Sequence, residues 1–311
     1  MISNSKMRYQ GHMKSTRTIL ALFVSSILAG CGGSASHVGG MGGTGGTGGG
    51  GGDGTGTGTG GNAGPLLAAD AKVGTYIALG DSISDRGGAA PYFYDLLKDD
   101  LTAKFPGLVY VHGAQQNAIT DVYSDNVPSG APTLKQQIAA LGHDYAGDVV
   151  VSISIGGNDL NAHSFQAISN TDASLRAEFD AHLADELGEL TTPGRLGTGK
   201  VYIVLANIYD FTDGMGDFAT IGCGPGVNIS STAVQTGFGN WNNVLATNIG
   251  KVGGALYDMY SDFHGHGYNN PDKTLLWYDA STDQTVCLLP NDKGHDAIRR
   301  SIYKILTGET L

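Results

Sequence analysis

The part of the sequence that could do chemistry is a glycine, an acid and a serine that directly follow an apolar run. Residues 76–79 read Tyr-Ile-Ala-Leu, and Gly80, Asp81 and Ser82 come next. Glycine permits a sharp turn, so a buried strand that ends here would deliver a hydroxyl to the edge of a sheet, beside backbone N–H groups. Such a serine can attack a carbonyl carbon when a base removes its proton. These residue types are also common in ordinary turns, so both interpretations stay open at this point.

A second polar motif follows another strongly apolar run. Residues 149–155 are almost continuously apolar and β-branched, and Gly-Gly-Asn-Asp occupies positions 156–159. Glycine lets the backbone approach closely, and the carboxamide of Asn158 could donate a hydrogen bond to charge that develops near Ser82. The motif therefore predicts an oxyanion donor.

The elements that must position these groups are strands and helices in alternation. Strand-like apolar runs occupy residues 75–79, 108–111, 149–155, 201–206 and 275–278. Segments with helical character lie around residues 91–97, 134–141, 172–190, 240–263 and 293–306. This alternation predicts an α/β fold, a three-layer α/β/α doubly wound sandwich around a mostly parallel five-stranded sheet. Sites in that architecture form at the carboxyl ends of the strands, which places Ser82 and Gly156 at one edge.

The two motifs, in this order and strand context, resemble the SGNH/GDSL hydrolase family of esterases and lipases, in a secreted bacterial branch. The resemblance covers the chain from Thr75 onward. It implies a flavodoxin-like SGNH hydrolase fold, with Ser82 as nucleophile and the Ser82 N–H and Asn158 side chain as oxyanion donors. It also implies that no metal or cofactor takes part. The expected substrates are acyl or acetyl esters of lipids or polysaccharides, cleaved through an acyl-enzyme.

One departure from the family pattern concerns the oxyanion site. The family supplies a further N–H from a glycine after the second strand. Here Gln116 or Asn117 stands at that position, and Gly113 is out of register. A backbone N–H survives such a substitution, but a side chain could obstruct the acyl group.

A second departure concerns the acid and the base. The family ends with Asp-x-x-His-Pro-Asn, and alignment on the Pro-Asn pair at 290–291 puts Val286 and Leu289 at the acid and base positions. Without a base, a serine hydroxyl is a poor nucleophile near neutral pH. Asp292 and His295 repeat the Asp-x-x-His spacing, so we predict that Asp292 orients His295 as the base.

Alternatives to this acid–base pair remain. Asp292 could cap the last helix while His295 packs against it. Other conceivable bases are Asp279, Asp283, His264 and His266. The spacing of the last two would also suit a metal, but no nearby acid or cysteine completes a set, so we expect none. A catalytically weak or inactive protein that binds a saccharide or a protein partner is the competing functional hypothesis.

The N-terminal part of the chain has the layout of an export signal. Basic residues precede the apolar run 19–28, which is too short to span a membrane, and no acid precedes it. Small residues then lead to Cys31, which resembles a bacterial lipobox and implies cleavage before Cys31 and lipid on its sulfur. A plain secretory signal is the alternative. Gly32 stands where an inner-membrane retention signal usually has Asp, which favours the outer membrane.

The predicted organisation is a lipoprotein signal peptide at 1–30, a disordered Gly-rich tether at 31–73 and a hydrolase-type domain at 74–311. The formal net charge of −11 disfavours nucleic acid as a partner, since polyanion binding needs a basic surface. In an exported protein, Cys223 and Cys287 are expected to form a disulfide. A reactive thiol is the alternative. The expected partners are an ester-bearing lipid or carbohydrate and, through the anchor, the membrane of a cell envelope.

Overall fold

Five parallel strands form the sheet at the centre of the structure. The computed structural model describes residues 64–163, 173–221, 227–280 and 288–311. The strands are β1 Val73–Gly80, β2 Val109–His112, β3 Asp148–Ser154, β4 Val201–Ala206 and β5 Ala255–Tyr257. Their order across the sheet is β2-β1-β3-β4-β5, and every neighbouring pair is parallel. The parallel sheet predicted from the sequence is confirmed.

Helices cover this sheet in two groups. They are α1 Phe93–Lys104, α2 Leu134–Ala139, α3 Gly157–Ala162, α4 Ala173–Thr191, α5 Phe218–Ile221, α6 Ser231–Lys251, α7 Met259–Phe263 and α8 Asp292–Thr307. Helix α1 packs against α8, whereas α4 packs against α2 and α6. These groups form the outer layers of the predicted three-layer α/β/α fold. Right-handed crossovers between parallel strands produce this doubly wound arrangement.

The central strands are buried because helices cover both of their faces. All residues of β1 except Gly74 are buried, and all residues of β3 except Asp148. The continuous apolar character of these two strands is what burial on both faces requires. Strand β2 lies at an edge of the sheet and is half-buried or exposed along its length.

The prediction of the fifth strand was wrong. Residues 275–278 contribute the end of a 3₁₀ turn and an isolated bridge between Tyr278 and Pro290. The edge strand is β5, which lies inside the predicted helix 240–263. The helix stops before Gly253, whose φ of +72 lies outside the helical region. A Cβ on Gly254 would lie 2.8 Å from the Ile203 carbonyl oxygen, so glycine lets the chain approach β4 there. Helical periodicity on both sides of this glycine pair concealed the short strand.

The folded domain begins before residue 74. The backbone N–H groups of Leu66 and Leu67 donate to the carbonyl oxygens of Ile305 and Leu306, each at 2.9 Å. Leu67 is also buried. The end of the predicted tether is therefore paired with the end of α8 and belongs to the domain.

Several predictions fall on residues outside the described ranges. These are the signal peptide, Cys31, the tether up to residue 63, the Cys223–Cys287 disulfide, Asp283 and Val286. They remain predictions. None of the helices in the described part of the chain is long and apolar enough to cross a membrane.

Candidate active site

Ser82 lies in a tight turn at the carboxyl end of β1. The strand ends at Gly80, which has φ +118, and a Cβ there would lie 1.9 Å from the Ser154 carbonyl oxygen. Only glycine fits this approach. Asp81 then caps the 3₁₀ turn Ser82–Ser84, because its Oδ1 accepts the Ile83 N–H at 3.1 Å. The sequence thus builds a sharp strand-to-turn junction with the Ser82 side chain directly after it.

The Ser82 hydroxyl is held by a backbone N–H from the loop after β2. The Asn117 N–H donates to Ser82 Oγ at 3.0 Å. Asn117 has φ +61, in the left-handed region that glycine favours and asparagine tolerates. The Gln116 N–H instead donates to Asp85 at 3.2 Å. Of the two residues left open by the sequence, Asn117 is the one whose N–H faces Ser82.

Asn158 is fixed to the same loop from the other side. Gly156, with φ +105, caps α3, and Asn158 follows in the first turn. Its Nδ2 donates to the carbonyl oxygen of Ala118, the residue after Asn117, at 2.9 Å. A carboxamide has two N–H donors, so this single bond orients the group without using all of them. The Asn117 N–H therefore contacts the Ser82 hydroxyl directly, and the Asn158 carboxamide is bonded to the residue that follows Asn117.

A buried carboxylate locks α3 to the loop that carries Asn117. Asp159 Oδ1 accepts hydrogen bonds from the Thr120 N–H at 3.0 Å, the Thr120 hydroxyl at 2.6 Å and the Tyr123 hydroxyl at 2.8 Å. Burial raises the pKa of Asp159, while these donors oppose the rise. The motif at 156–159 thus supplies both a candidate donor and its attachment.

Asp81 is a second buried carboxyl group beside the nucleophile. Burial, opposed by the Ser154 hydroxyl and the Ile83 N–H, raises its pKa to about 7. The Ser154 hydroxyl donates to Asp81 Oδ1 at 2.8 Å and also bonds the Ser84 hydroxyl at 2.8 Å. These contacts tie the Ser82 turn to the end of β3.

The prediction that His295 is the base for Ser82 needs correction. Nδ1 of His295 accepts the Phe93 N–H at 3.3 Å, so Nε2 carries the proton, and it donates to the Gly87 carbonyl oxygen at 2.7 Å. Both ring nitrogens are thus engaged with the backbone. Burial lowers the pKa of the fully buried His295 to about 4, which keeps the ring neutral. The contacts of His295 within the core, and not its spacing from Asp292, decide the orientation of its ring.

Asp292, the predicted partner of His295, also has contacts other than those predicted. Asp292 is exposed, and its carboxylate accepts the Lys293 N–H at 2.9 Å. The N-cap of α8 is Asn291, whose side chain accepts the N–H groups of Lys293 and Gly294. The packing alternative is therefore right for His295, and the helix cap is one residue earlier than Asp292.

The part of the sequence that builds this site matches a known family. The model of the GDSL-like lipase/acylhydrolase family matches residues 76–302. The chain belongs to the GDSL-like lipase/acylhydrolase family. As a GDSL-like protein, it is a hydrolase that acts on ester bonds. No curated relative matches the sequence.

Solved structures similar to this GDSL-like chain include two Streptomyces enzymes. An extracellular lipase from Streptomyces rimosus is 20% identical, with a TM-score of 0.46, over 74% of this chain and 99% of its own. A phospholipase A1 from Streptomyces albidoflavus is 19% identical, with a TM-score of 0.45, over 75% of this chain and 99% of its own. An acetylxylan esterase from Geobacillus stearothermophilus is 18% identical, with a TM-score of 0.47, over 76% of this chain and 96% of its own. At these identities, the substrates of those enzymes do not transfer to this chain.

The residue at the GDSL family's base position lies against the nucleophile turn. Leu289 Cδ2 lies 3.1 Å from the position that a Cβ on Gly87 would take. The Gly87 N–H in turn donates to the Ser82 carbonyl oxygen at 2.6 Å. The Ala89 N–H donates to the Pro290 carbonyl oxygen at 3.2 Å. The C-terminal segment is therefore near its expected place, with an apolar side chain where the GDSL pattern has an imidazole.

An imidazole–carboxylate pair that sequence reasoning missed adjoins the same turn. Asp85 Oδ1 lies 3.2 Å from His112 Nε2, and the Asp85 N–H donates to the Ser82 carbonyl oxygen at 3.1 Å. The other ring nitrogen of His112 bonds the Tyr110 hydroxyl at 3.1 Å. His112 could have been found from the sequence, because it directly follows the predicted second strand and so lies at the same sheet edge as Ser82. In the structure it pairs with Ala78 of β1.

The remaining histidine candidates from the sequence lie elsewhere. His264 is exposed, and His266 bonds the Leu275 carbonyl oxygen at 2.7 Å and stacks on Trp277. Asp213 links this segment to the loop after β4, since it accepts the N–H groups of Gly265 and Gly267. Within the described ranges, no cluster of three or more His, Cys, Asp or Glu side chains is arranged to hold a metal ion.

Proposed function

We propose that this protein is an exported, lipid-anchored serine esterase in which Ser82 forms an acyl-enzyme. The Ser82 hydroxyl attacks the ester carbonyl carbon, the alcohol leaves, and water then releases the acid. The substrates are acyl or acetyl esters of lipids or polysaccharides. The observation that carries this proposal is the 3.0 Å contact between the Asn117 N–H and Ser82 Oγ.

The donors around Ser82 support this chemistry. The Ser82 and Asn117 N–H groups and the Asn158 carboxamide come from three segments that meet at one edge of the sheet. Donors of this kind stabilise the oxyanion of the tetrahedral intermediate, and one of them typically contributes about 10²–10³-fold to turnover. An ester needs less activation of its leaving group than an amide, so this arrangement suits ester substrates.

A slow or inactive protein that binds an ester-bearing saccharide is the second candidate. It is favoured by Leu289 at the base position and by the engagement of both His295 ring nitrogens. Without a base, little of the serine is activated near neutral pH. The two candidates use the same site around Ser82 and differ in turnover.

Hydrolysis of p-nitrophenyl acetate and butyrate by the full chain in detergent separates them. We expect turnover that Ser82→Ala abolishes, and labelling of Ser82 by a fluorophosphonate probe, seen as a mass increase on the peptide that contains it. Ser129→Ala, at an exposed serine of the loop after β2, is the control and should keep both signals. Turnover that survives Ser82→Ala would overturn the acyl-enzyme, and the lack of any turnover would favour the binding protein.

A further inference from the structure

A buried glutamine side chain pairs with the backbone of the last residue of the nucleophile strand. The Gly80 N–H donates to Gln137 Oε1 at 2.8 Å, and Gln137 Nε2 donates to the Gly80 carbonyl oxygen at 2.8 Å. Gln137 is 2% exposed. The carboxamide therefore forms a closed pair of hydrogen bonds with the N–H and the carbonyl oxygen of one residue, two positions before Ser82.

This pair gives the Gly80 N–H an acceptor just past the point where the pairing of β1 with β2 ends. Strand β2 follows β1 only as far as the pairing of Ala78 with His112. Beyond it, the loop that reaches Asn117 still donates to β1, since the Gln115 N–H bonds the Gly80 carbonyl oxygen at 3.0 Å, while β3 continues beside β1 up to Gly80. A backbone amide buried without a partner is costly, and the carboxamide of Gln137 has the donor and acceptor of a peptide. Gln137 thus satisfies the Gly80 N–H where β2 no longer pairs with β1, and the Gly80 carbonyl oxygen joins Gln137 to the loop through Gln115.

The helix that carries Gln137 also holds that loop. At the start of α2, the Leu134 N–H donates to the Ile119 carbonyl oxygen at 2.8 Å. The Ile119 N–H donates to the Pro132 carbonyl oxygen at 3.0 Å. Ile119 lies two residues after Asn117, so one short helix is bonded to the segments on both sides of the contact with Ser82.

We propose that Gln137 is a positioning residue, which through Gly80 sets the distance between Ser82 Oγ and the Asn117 N–H. This inference rests on the proposed esterase function. A displacement of about 1 Å can cost about 10²-fold in rate, even when the change lies outside the reacting groups. Loss of the pair would therefore lower turnover more than it lowers substrate binding.

The test compares Gln137→Met with Ile138→Val in the full chain. The first removes both hydrogen bonds at similar volume, and the second loosens the same helix by packing alone, since Ile138 is fully buried. On p-nitrophenyl acetate, we expect Gln137→Met to lower kcat by about 10- to 100-fold with KM changed by less than about twofold. Ile138→Val should keep kcat at temperatures where both variants are folded. Equal kcat losses in the two variants would overturn the positioning role.

Rescue by Gln137→Glu adds a readout that a general loss of stability would not give. A protonated carboxyl group can accept the Gly80 N–H and donate to the Gly80 carbonyl oxygen, whereas a carboxylate can only accept. Relative to the parent at the same pH, turnover should be near normal at low pH and fall as the group ionises. If the ratio of Gln137→Glu turnover to parent turnover does not change with pH, the inference is contradicted.

Amide NMR separates failure of this inference from failure of the esterase proposal. Gln137→Met should shift the amide proton resonances of both Gly80 and Asn117, and Ile138→Val should shift neither strongly. A shift at Gly80 alone would overturn the inference, whether or not the parent hydrolyses esters. Absence of Ser82-dependent hydrolysis in the parent, with both shifts present, would overturn the esterase and leave the geometric coupling intact.

Discussion

At the scale of residues, the Ser82 hydroxyl is contacted by a backbone hydrogen-bond donor. The Asn117 N–H lies 3.0 Å from Oγ, and the Asn158 carboxamide is bonded to the adjoining Ala118. The imidazoles of His112 and His295, in contrast, have both ring nitrogens engaged with other groups. The geometry at this scale therefore favours stabilisation of an oxyanion over removal of the serine proton.

Leu289→His should raise Ser82-dependent turnover. Leu289 lies against Gly87, whose N–H binds the Ser82 carbonyl oxygen, so an imidazole there would lie beside the nucleophile turn. A positioned general base typically contributes about 10²–10⁴-fold, and we expect a gain of at least about tenfold in kcat on p-nitrophenyl acetate. Leu288→His, at the neighbouring half-buried position, is the control. A folded Leu289→His variant with unchanged kcat would show that this position faces away from Ser82.

If Asn158 acts as the proposed oxyanion donor, Asn158→Ala should lower kcat by about 10²–10³-fold. KM should change little, since the donor acts mainly in the transition state. Asn161→Ala provides the comparison, because Asn161 is exposed on the same helix. Similar losses in both variants would assign the effect to the integrity of α3. Steady-state kinetics on short p-nitrophenyl esters give both constants.

The pH dependence of stability tests the neutral state of His295. Burial lowers its pKa from 6.5 to about 4, so the unfolded chain takes up this proton first as the pH falls. The contribution of this pKa shift to the free energy of unfolding is fully present above about pH 6.5. It is lost as the pH falls towards 4, which lowers the free energy of unfolding by up to about 3 kcal/mol. Asp81 acts in the opposite direction, because burial raises its pKa to about 7. The contribution of His295 is therefore measured as the difference between the parent and a variant at this position.

We expect the difference in unfolding free energy between the parent and His295→Gln to shrink as the pH falls from 6.5 to 4. Urea unfolding at a series of pH values measures it. Contributions from Asp81 and from the other groups cancel in this difference. A constant difference across the window would mean that His295 titrates normally in the folded protein.

At the scale of elements, the C-terminal helix is attached to the segment that precedes it through its N-cap. The Asn291 side chain accepts the N–H groups of Lys293 and Gly294, each at 3.0 Å. Its Nδ2 donates to the carbonyl oxygens of Leu276 at 2.8 Å and Tyr278 at 3.1 Å. One side chain thus begins α8 and ties it to the preceding segment, which in turn positions His295 and the residues at 289–290.

Asn291→Ala should therefore destabilise the fold more than Asp292→Ala. Loss of an N-cap costs about 1–2 kcal/mol, and loss of the two donated bonds adds to this value. Asp292 is exposed, so its removal should change the unfolding free energy by less than about 1 kcal/mol. Urea unfolding of both variants at pH 7 measures the effect. A larger loss for Asp292→Ala would identify Asp292 as the cap that the sequence suggested.

At the scale of the whole molecule, an acidic ester hydrolase follows a long glycine-rich segment. The chain has 50 glycines and a formal net charge of −11. A Gly-rich tether between a lipid on Cys31 and the domain would hold the site near a membrane while leaving it free to reorient. The acidic charge would keep the domain itself away from anionic lipid headgroups.

Cys31→Ser should release the protein from the membrane fraction of cells that express it. Acylation at Cys31 would supply more than one acyl chain, and stable attachment requires that second chain. Fractionation and the intact mass of the purified chain measure the change. Cys223→Ser serves as the control and should stay in the membrane fraction. A lipid at this cysteine would be excluded if Cys31→Ser stayed in the membrane fraction like Cys223→Ser. It would also be excluded if the mass of an acyl group persisted in Cys31→Ser.

The sequence by itself determined the sheet edge and half of the site. Two strongly apolar runs had to be central strands, and the polar motifs that follow them had to meet at one edge, because parallel strands end on the same side. Ser82 and Asn158 were placed at that edge in this way. Short-range patterns are sufficient for such groups, since β1 and β3 deliver them directly.

Only the tertiary structure decided which atoms face Ser82. The choice between Gln116 and Asn117 depended on a positive φ in a loop, which residue type alone does not specify. His295 has the spacing of a catalytic histidine, but its contacts with Phe93 and Gly87, far away in the chain, turn its ring into the core. Local spacing identifies groups that could react, whereas packing between distant segments decides where each group points.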